Sequence, residues 1–187
     1  MKTNIWNQKR RGFSLIELIT VIAIIVILVG LTISVLSSGQ AKAGIEQTKG
    51  QLAFIESSLA QYYEEYGEYP PSFDSGGSKG AKVLYQALTG DGNSLLVESG
   101  GTSSNGVIDS TEAKENKSWV DPENDPQGLV GKDRDKDYVL RDAFGNAWQY
   151  RSYDKGNPSG TNNSTYDLWS FSIDKEQSKE VKWIKNW

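Results

Sequence analysis

Two places in the chain combine residue type and spacing in a way that could do chemistry. The first is a single carboxylate, Glu17, inside the apolar stretch that follows Lys9, Arg10 and Arg11. A charged side chain costs about 2.5–3.5 kcal/mol at the centre of a bilayer and less near its interface, so an acid kept there needs a cationic partner or a headgroup to reach. The second is residues 101–112, "GTSSNGVIDSTE". Laid on the twelve-residue calcium loop, it puts Asn105 at the fifth position, Gly106 at the sharp turn, Ile108 at the apolar position, Asp109 at the ninth and Glu112 at the bidentate twelfth. Its first position is Gly101, where the template wants an acid, and the competing reading is a Gly/Ser loop running into a helix start. "DRDKD" (133–137) spaces its acids by two but lacks the turn glycine and the terminal Glu, and reads as surface.

What is missing narrows the chemistry further. With no cysteine there is no disulfide, thiolate zinc site or sulfur nucleophile, and with no histidine the usual general base and metal ligand are gone. Most hydrolase and transition-metal mechanisms fall away, and the chain reads as a non-enzyme. The net charge of −4 conceals four cations and no acid within residues 1–12, which leaves −8 on the rest. No basic face for nucleic acid follows from that balance, and no nucleic-acid partner is expected. Trp119, Trp148, Trp169, Trp183 and Trp187 could line a carbohydrate or single-strand groove. Core and subunit contacts are the commoner use of tryptophans on short strands.

The elements that must position these residues begin with the apolar run itself. Residues 13–36 number 24, enough for a bilayer core of about 30 Å, which takes roughly 20 helical residues. The cations in front of it predict a cytoplasmic segment 1–12 and an exported remainder from about residue 37. An ordinary signal peptide is the alternative, with "AKAG" (41–44) as its cleavage site, but such h-regions span ~7–15 residues and rarely hold an acid. Past the membrane, Ala41, Ile45, Thr48, Leu52, Ile55, Leu59, Tyr62 and Tyr66 keep a 4,3,4,3 spacing, which predicts an amphipathic half-helix over 37–66. Gly67 and Pro70-Pro71 end it, so the whole helix would cover 13–66 and about 80 Å. Its exposed stripe must pack on something.

Residues 67–187 read as a globular head. Short aromatic and β-branched runs at 147–153, 166–173 and 181–184 predict C-terminal antiparallel strands. Which face of 166–173 points inward is left open by the alternation. A short helix is predicted at 81–88, with Val83, Leu84, Ala87 and Leu88 as its apolar side, and 89–137 reads as a long irregular loop. The predicted class is α+β: a long N-terminal helix, membrane-spanning in its first half, packed on a small antiparallel sheet.

"RRGFSLIEL" (10–18) resembles the processing site of type IV pilins and of the pseudopilins of type II secretion: a basic leader, Gly, Phe, and Glu at the fifth place after the cut. "EEYGEYPPS" (64–72), "RDAFGNAWQYRS" (141–152) and "YDLWSFSIDKE" (166–176) look like the helix exit, the first strand's entry turn and the second strand of the major, G-type pseudopilin, and the fold implied is pilin-like. The likeness covers about half the chain and hardly touches 89–137. Many members carry a proline about two-thirds along the membrane helix, whereas here Gly30, Ser34, Ser37, Ser38 and Gly39 are the weak helix formers of that region.

The resemblance implies that a prepilin peptidase cuts between Gly12 and Phe13 and methylates the new Phe13 amine. Glu17 would then neutralise that amine on a neighbouring subunit as the filament grows. The other partners implied are further copies of the chain and an inner-membrane secretion or pilus assembly platform. The location implied is a single pass through the bacterial inner membrane, N-terminus cytoplasmic and head periplasmic. Major pseudopilins of this kind hold calcium after the second strand, where this chain offers Asp174 and Glu176 among Lys175, Lys179 and Lys182; a solvated turn is the alternative. No cofactor other than calcium comes into question. The function implied is a subunit of a type II secretion pseudopilus, with a surface type IV pilin for adhesion, motility or DNA uptake as the rival and a signal-anchored binding protein as a third reading.

Overall fold

The computed structural model describes residues 12–72, 78–92, 104, 106–107, 117–153, 160–174 and 177–187, with side chains omitted at 31–38 and 78–79. Helix α1 spans Leu15–Tyr66 without a break through the glycine- and serine-rich stretch. The chain divides into two compact units, Met1–Ala41 and Lys42–Trp187.

In the first unit, the described residues 12–30 are all exposed, their large apolar side chains ranging from Phe13 at 85% to Val21 at 49%. A helix apolar around its whole circumference has no polar side to give to water, so lipid or other helices must cover it. Among the described residues no helix is long and apolar enough to cross a membrane. The described side chains of the apolar run stop at Gly30, and those completing the expected 13–36 span lie outside the described set.

The second unit is α+β. The predicted stripe turns inward: Thr48, Ile55 and Leu59 are buried, with Leu52 and Tyr62 half-buried, while Tyr66 at the end stays exposed. Gly67 stops α1 by taking φ 75° and donating its N–H to the Tyr63 carbonyl at 2.8 Å, the left-handed exit that glycine makes without strain. The chain after it is tied down by the Tyr150 hydroxyl on the Pro70 carbonyl (2.8 Å) and by Ser72 against Ser152. Helix α2, Ser78–Thr89, is longer than the predicted 81–88 and buried over nearly all its described turns, because it packs on both β2 and β3.

Two sheets replace the single one expected. Strands β1 (Val130–Lys132) and β2 (Tyr138–Leu140) form an antiparallel hairpin, and β3 (Gln149–Ser152), β4 (Tyr166–Ser170) and β5 (Ile184–Lys185) form a sheet in the order β3-β4-β5. The hairpin begins inside the stretch predicted as irregular loop. "DRDKD" is its turn, closed by Asp133, whose Oδ1 accepts the N–H groups of Asp135 (2.9 Å) and Asp137 (3.0 Å). Such a short Asx-type closure carries no periodic signal, so composition reads it as loop. The strand predicted at 181–184 is also displaced: Glu180–Lys182 is a 3-10 turn, Val181 is 92% exposed, and pairing starts at Ile184. The core gathers Ile55 and Leu59 of α1, Leu84, Tyr85 and Leu88 of α2, and Trp148, Tyr150 and Leu168 around the sheet.

Candidate functional site

At the start of α1 a local sequence signature explains the geometry. Ser14 precedes the first helical residue, and Glu17 lies three residues on, the S-x-x-E spacing of a capping box. The Ser14 N–H donates to Glu17 Oε2 at 2.8 Å, which satisfies a backbone donor that the helix cannot pair. The Thr20 hydroxyl donates to the Glu17 carbonyl at 2.9 Å, and the Leu18 N–H to the Ser14 carbonyl at 3.2 Å. A carboxylate in the first turn also opposes the positive end of the helix dipole. The capping box is legible in the sequence and gives Glu17 a third use, beside a cationic partner and a headgroup. Phe13 and Gly12 stand immediately ahead of this turn, outside the helix and exposed, and a β-carbon on Gly12 would meet nothing within 4 Å. Among the described residues nothing crowds this junction, and Glu17, the one acid of the turn, lies four residues past Phe13.

The calcium candidates fare differently. Asn105, Asp109, Glu112 and Glu176 lie outside the described residues. Gly106 adopts φ 86° and gives its N–H to Asp91 Oδ2 at 2.5 Å. Asp91 is fully buried and also accepts the Tyr85 hydroxyl at 2.5 Å. Asp174 is 4% exposed, and its Oδ2 accepts the Lys179 N–H (2.6 Å) and the Trp183 indole N–H (3.3 Å). The Lys179 hydrogen bond, more than any other influence, holds this carboxyl below its ordinary value. No group of three or more acidic side chains placed to hold a metal occurs among the described residues.

Two further buried acids escaped the sequence reading. Asp142 opens the turn between β2 and β3: its carboxylate accepts the N–H groups of Phe144 (2.9 Å) and Asn146 (2.8 Å), the Asn146 side-chain amide (2.9 Å) and the Ser170 hydroxyl. Asn146 passes the link on to the Ser172 carbonyl at 2.8 Å. Asp167, on β4, is capped by Asn162 and Asn163. Both acids are structural, since every oxygen is already met by a donor within the fold.

Residues 7–33 match the family described as "Prokaryotic N-terminal methylation motif". The match spans Lys9, Arg10 and Arg11, Gly12, Phe13 and Glu17 and most of the apolar run, and it supports the pilin and pseudopilin class. No curated protein and no solved structure matches the chain.

Proposed function

We propose that the chain is a non-enzymatic filament subunit, anchored in the inner membrane by residues 13–36 until assembly and cut between Gly12 and Phe13 by a prepilin peptidase. The observation that carries the reading is the methylation motif over residues 7–33 together with an exposed Gly12-Phe13 junction and Glu17 in the turn directly behind it.

The chemistry follows from the order of events. Before cleavage, Phe13 has an amide nitrogen and Glu17 has no cation to meet. Cleavage creates an ammonium at Phe13. Inside a bundle of apolar helices the Glu17 carboxylate and a neighbour's Phe13 ammonium attract strongly, because little solvent screens them. Leaving either one unpaired there is costly, so the pair sets the axial register between subunits. The exposed apolar circumference of residues 13–29 supplies the cover for copies of itself. The head stays on the periplasmic side, and the inner-membrane assembly platform adds subunits from below.

Among filament classes we favour the type II secretion pseudopilus, in which growth of a short periplasmic fibre drives export. The support is the likeness of 64–72, 141–152 and 166–176 to the major pseudopilin, segments that form the α1 exit, the Asp142 turn with β3, and β4 with its following turn. Intact-mass analysis of the membrane-extracted protein tests the reading: it should begin at Phe13 with one added methyl group. A chain beginning at Met1, or after residue 43, would defeat it. Loss of export without loss of surface fibres on deletion would separate the pseudopilus from a surface pilus.

A further inference from the structure

We infer that the sheet face turned away from α1 carries a binding pocket for an acidic oligosaccharide, one that bears uronate carboxylates. Along β4 the side chains alternate, so Leu168 enters the core with Ile55 and Leu59 while Trp169 points to the opposite face. There a cavity of about 760 Å3 opens, lined by Lys132, Arg134, Arg141, Gln149, Trp169 and Phe171 among others. That volume is in the range of ligand sites and admits two or three sugar rings.

Three features make it a built site. Arg141 is seated between glycines: a β-carbon at Gly131 or Gly145 would collide with its side chain, and Gly145 takes φ 86°. Its Nε donates to the Gly145 carbonyl at 2.9 Å, which fixes the guanidinium plane and leaves the terminal nitrogens without a partner among the described residues. A guanidinium held in this way is the planar fork that carboxylates fit. The aromatic wall is equally fixed, with Trp169 edge-on to Trp187 at 5.7 Å and Phe171 edge-on to Trp183 at 5.0 Å. The Trp169 indole N–H is buried and has no acceptor among the described residues.

The acids at the rim do not cancel the cations. The lining sets three cations, Lys132, Arg134 and Arg141, against two acids, Asp133 and Asp135, and Asp133 turns one oxygen to the hairpin amides while Lys132 lies over the Tyr138 ring at 4.4 Å. An extended acidic peptide is a poorer occupant. The β4 backbone at Trp169 is already paired with Gln149 on one side and Lys185 on the other, so the floor offers no ladder for an added strand. Recognition falls to a fixed cation, flat rings and a side-chain amide, the set that reads ring faces, hydroxyls and carboxylates.

The inference does not depend on filament assembly, because binding is read on the full chain in a polyoxyethylene detergent, which has no sugar headgroup. Trigalacturonic acid should give saturable heat and quench tryptophan fluorescence, while maltotriose should do neither. Arg141→Gln should weaken binding ~10-fold. Arg134→Gln, at an exposed turn position where folding is unaffected, should weaken it ~3-fold. No heat with trigalacturonic acid, equal binding of maltotriose, or binding of a tetraglutamate peptide in its place would each overturn the assignment.

Discussion

The Ser14 N–H donates to the Glu17 carboxylate at 2.8 Å, so the acid of the first turn has a partner within its own chain before any neighbour arrives. Two roles thus share one side chain, a helix cap and an assembly charge. Glutamine keeps the cap but not the charge, and alanine keeps neither. We expect Glu17→Gln and Glu17→Ala both to insert and to be cut after Gly12, and both to fail to assemble into filaments, read by subunit crosslinking in the membrane fraction. Alanine should also lose about 0.5–2 kcal/mol of local helix stability. Normal filaments from Glu17→Ala would sink the ion-pair role.

Processing can be separated from folding at Gly12. Since a β-carbon at Gly12 would meet no described atom within 4 Å beyond the adjoining residues, Gly12→Val adds its side chain without a clash. The fold should be unchanged, and a peptidase subsite with little room should reject the branched side chain. Mass spectrometry should then find the uncut chain accumulating in the membrane. Efficient cleavage of Gly12→Val would contradict the assigned site.

Asp142 holds the turn between β2 and β3 to the end of β4. Asp142→Ala strands the buried Ser170 hydroxyl and takes the acceptor from the Phe144 and Asn146 N–H groups, and we expect a loss of about 2–4 kcal/mol. Asp142→Asn, which still offers one oxygen, should cost less. Thermal unfolding of the full chain in detergent, followed by near-ultraviolet circular dichroism, measures both.

High pH should unfold the 42–187 unit through its tyrosines. Burial, reinforced by Tyr66 and Glu68, pushes the Tyr62 phenol from 10.0 up to about 12. Burial also raises Tyr85, Tyr150 and Tyr166. Folding favours the protonated phenols, so their contribution is complete below about pH 10 and is lost as pH climbs through 12 and beyond. Melting temperature should begin to fall near pH 10, with tyrosinate absorbance rising together with unfolding. Full ionisation of all nine tyrosines while near-ultraviolet ellipticity persists would contradict this.

For calcium, the Asp174 carboxylate is already met by protein donors. Any calcium-dependent rise in melting temperature should therefore survive Asp174→Asn. A rise abolished by that substitution would place the ion after β4 instead of in the 101–112 loop.

Much of α1 was legible because its signals are contiguous. A seven-residue repeat of apolar positions needs no knowledge of the rest of the chain, and Gly67 marks its exit by a backbone preference of its own. Helix α2 was placed by the same kind of pattern, three residues short at its start and one at its end. The β1-β2 hairpin was not, since three-residue strands are too brief for alternation to register. The displaced β5 shows the same weakness: Val181 looks like a strand residue, but only pairing with β4 decides where a strand lies, and that begins at Ile184.

The sequence by itself determined the processing motif, the apolar helix with its single acid, and the amphipathic stripe that follows, because each is written in neighbouring residues. Tertiary structure decided which polar groups are buried and what they do. Asp91 looks like a loop residue until Tyr85 and Gly106 close on it, and Asp142 looks like a turn former until Ser170, 28 residues away, reaches it. Arg141 becomes a fixed cation only where two glycines make room for it. Burial depends on partners distant in sequence, and no local pattern encodes which partner will arrive.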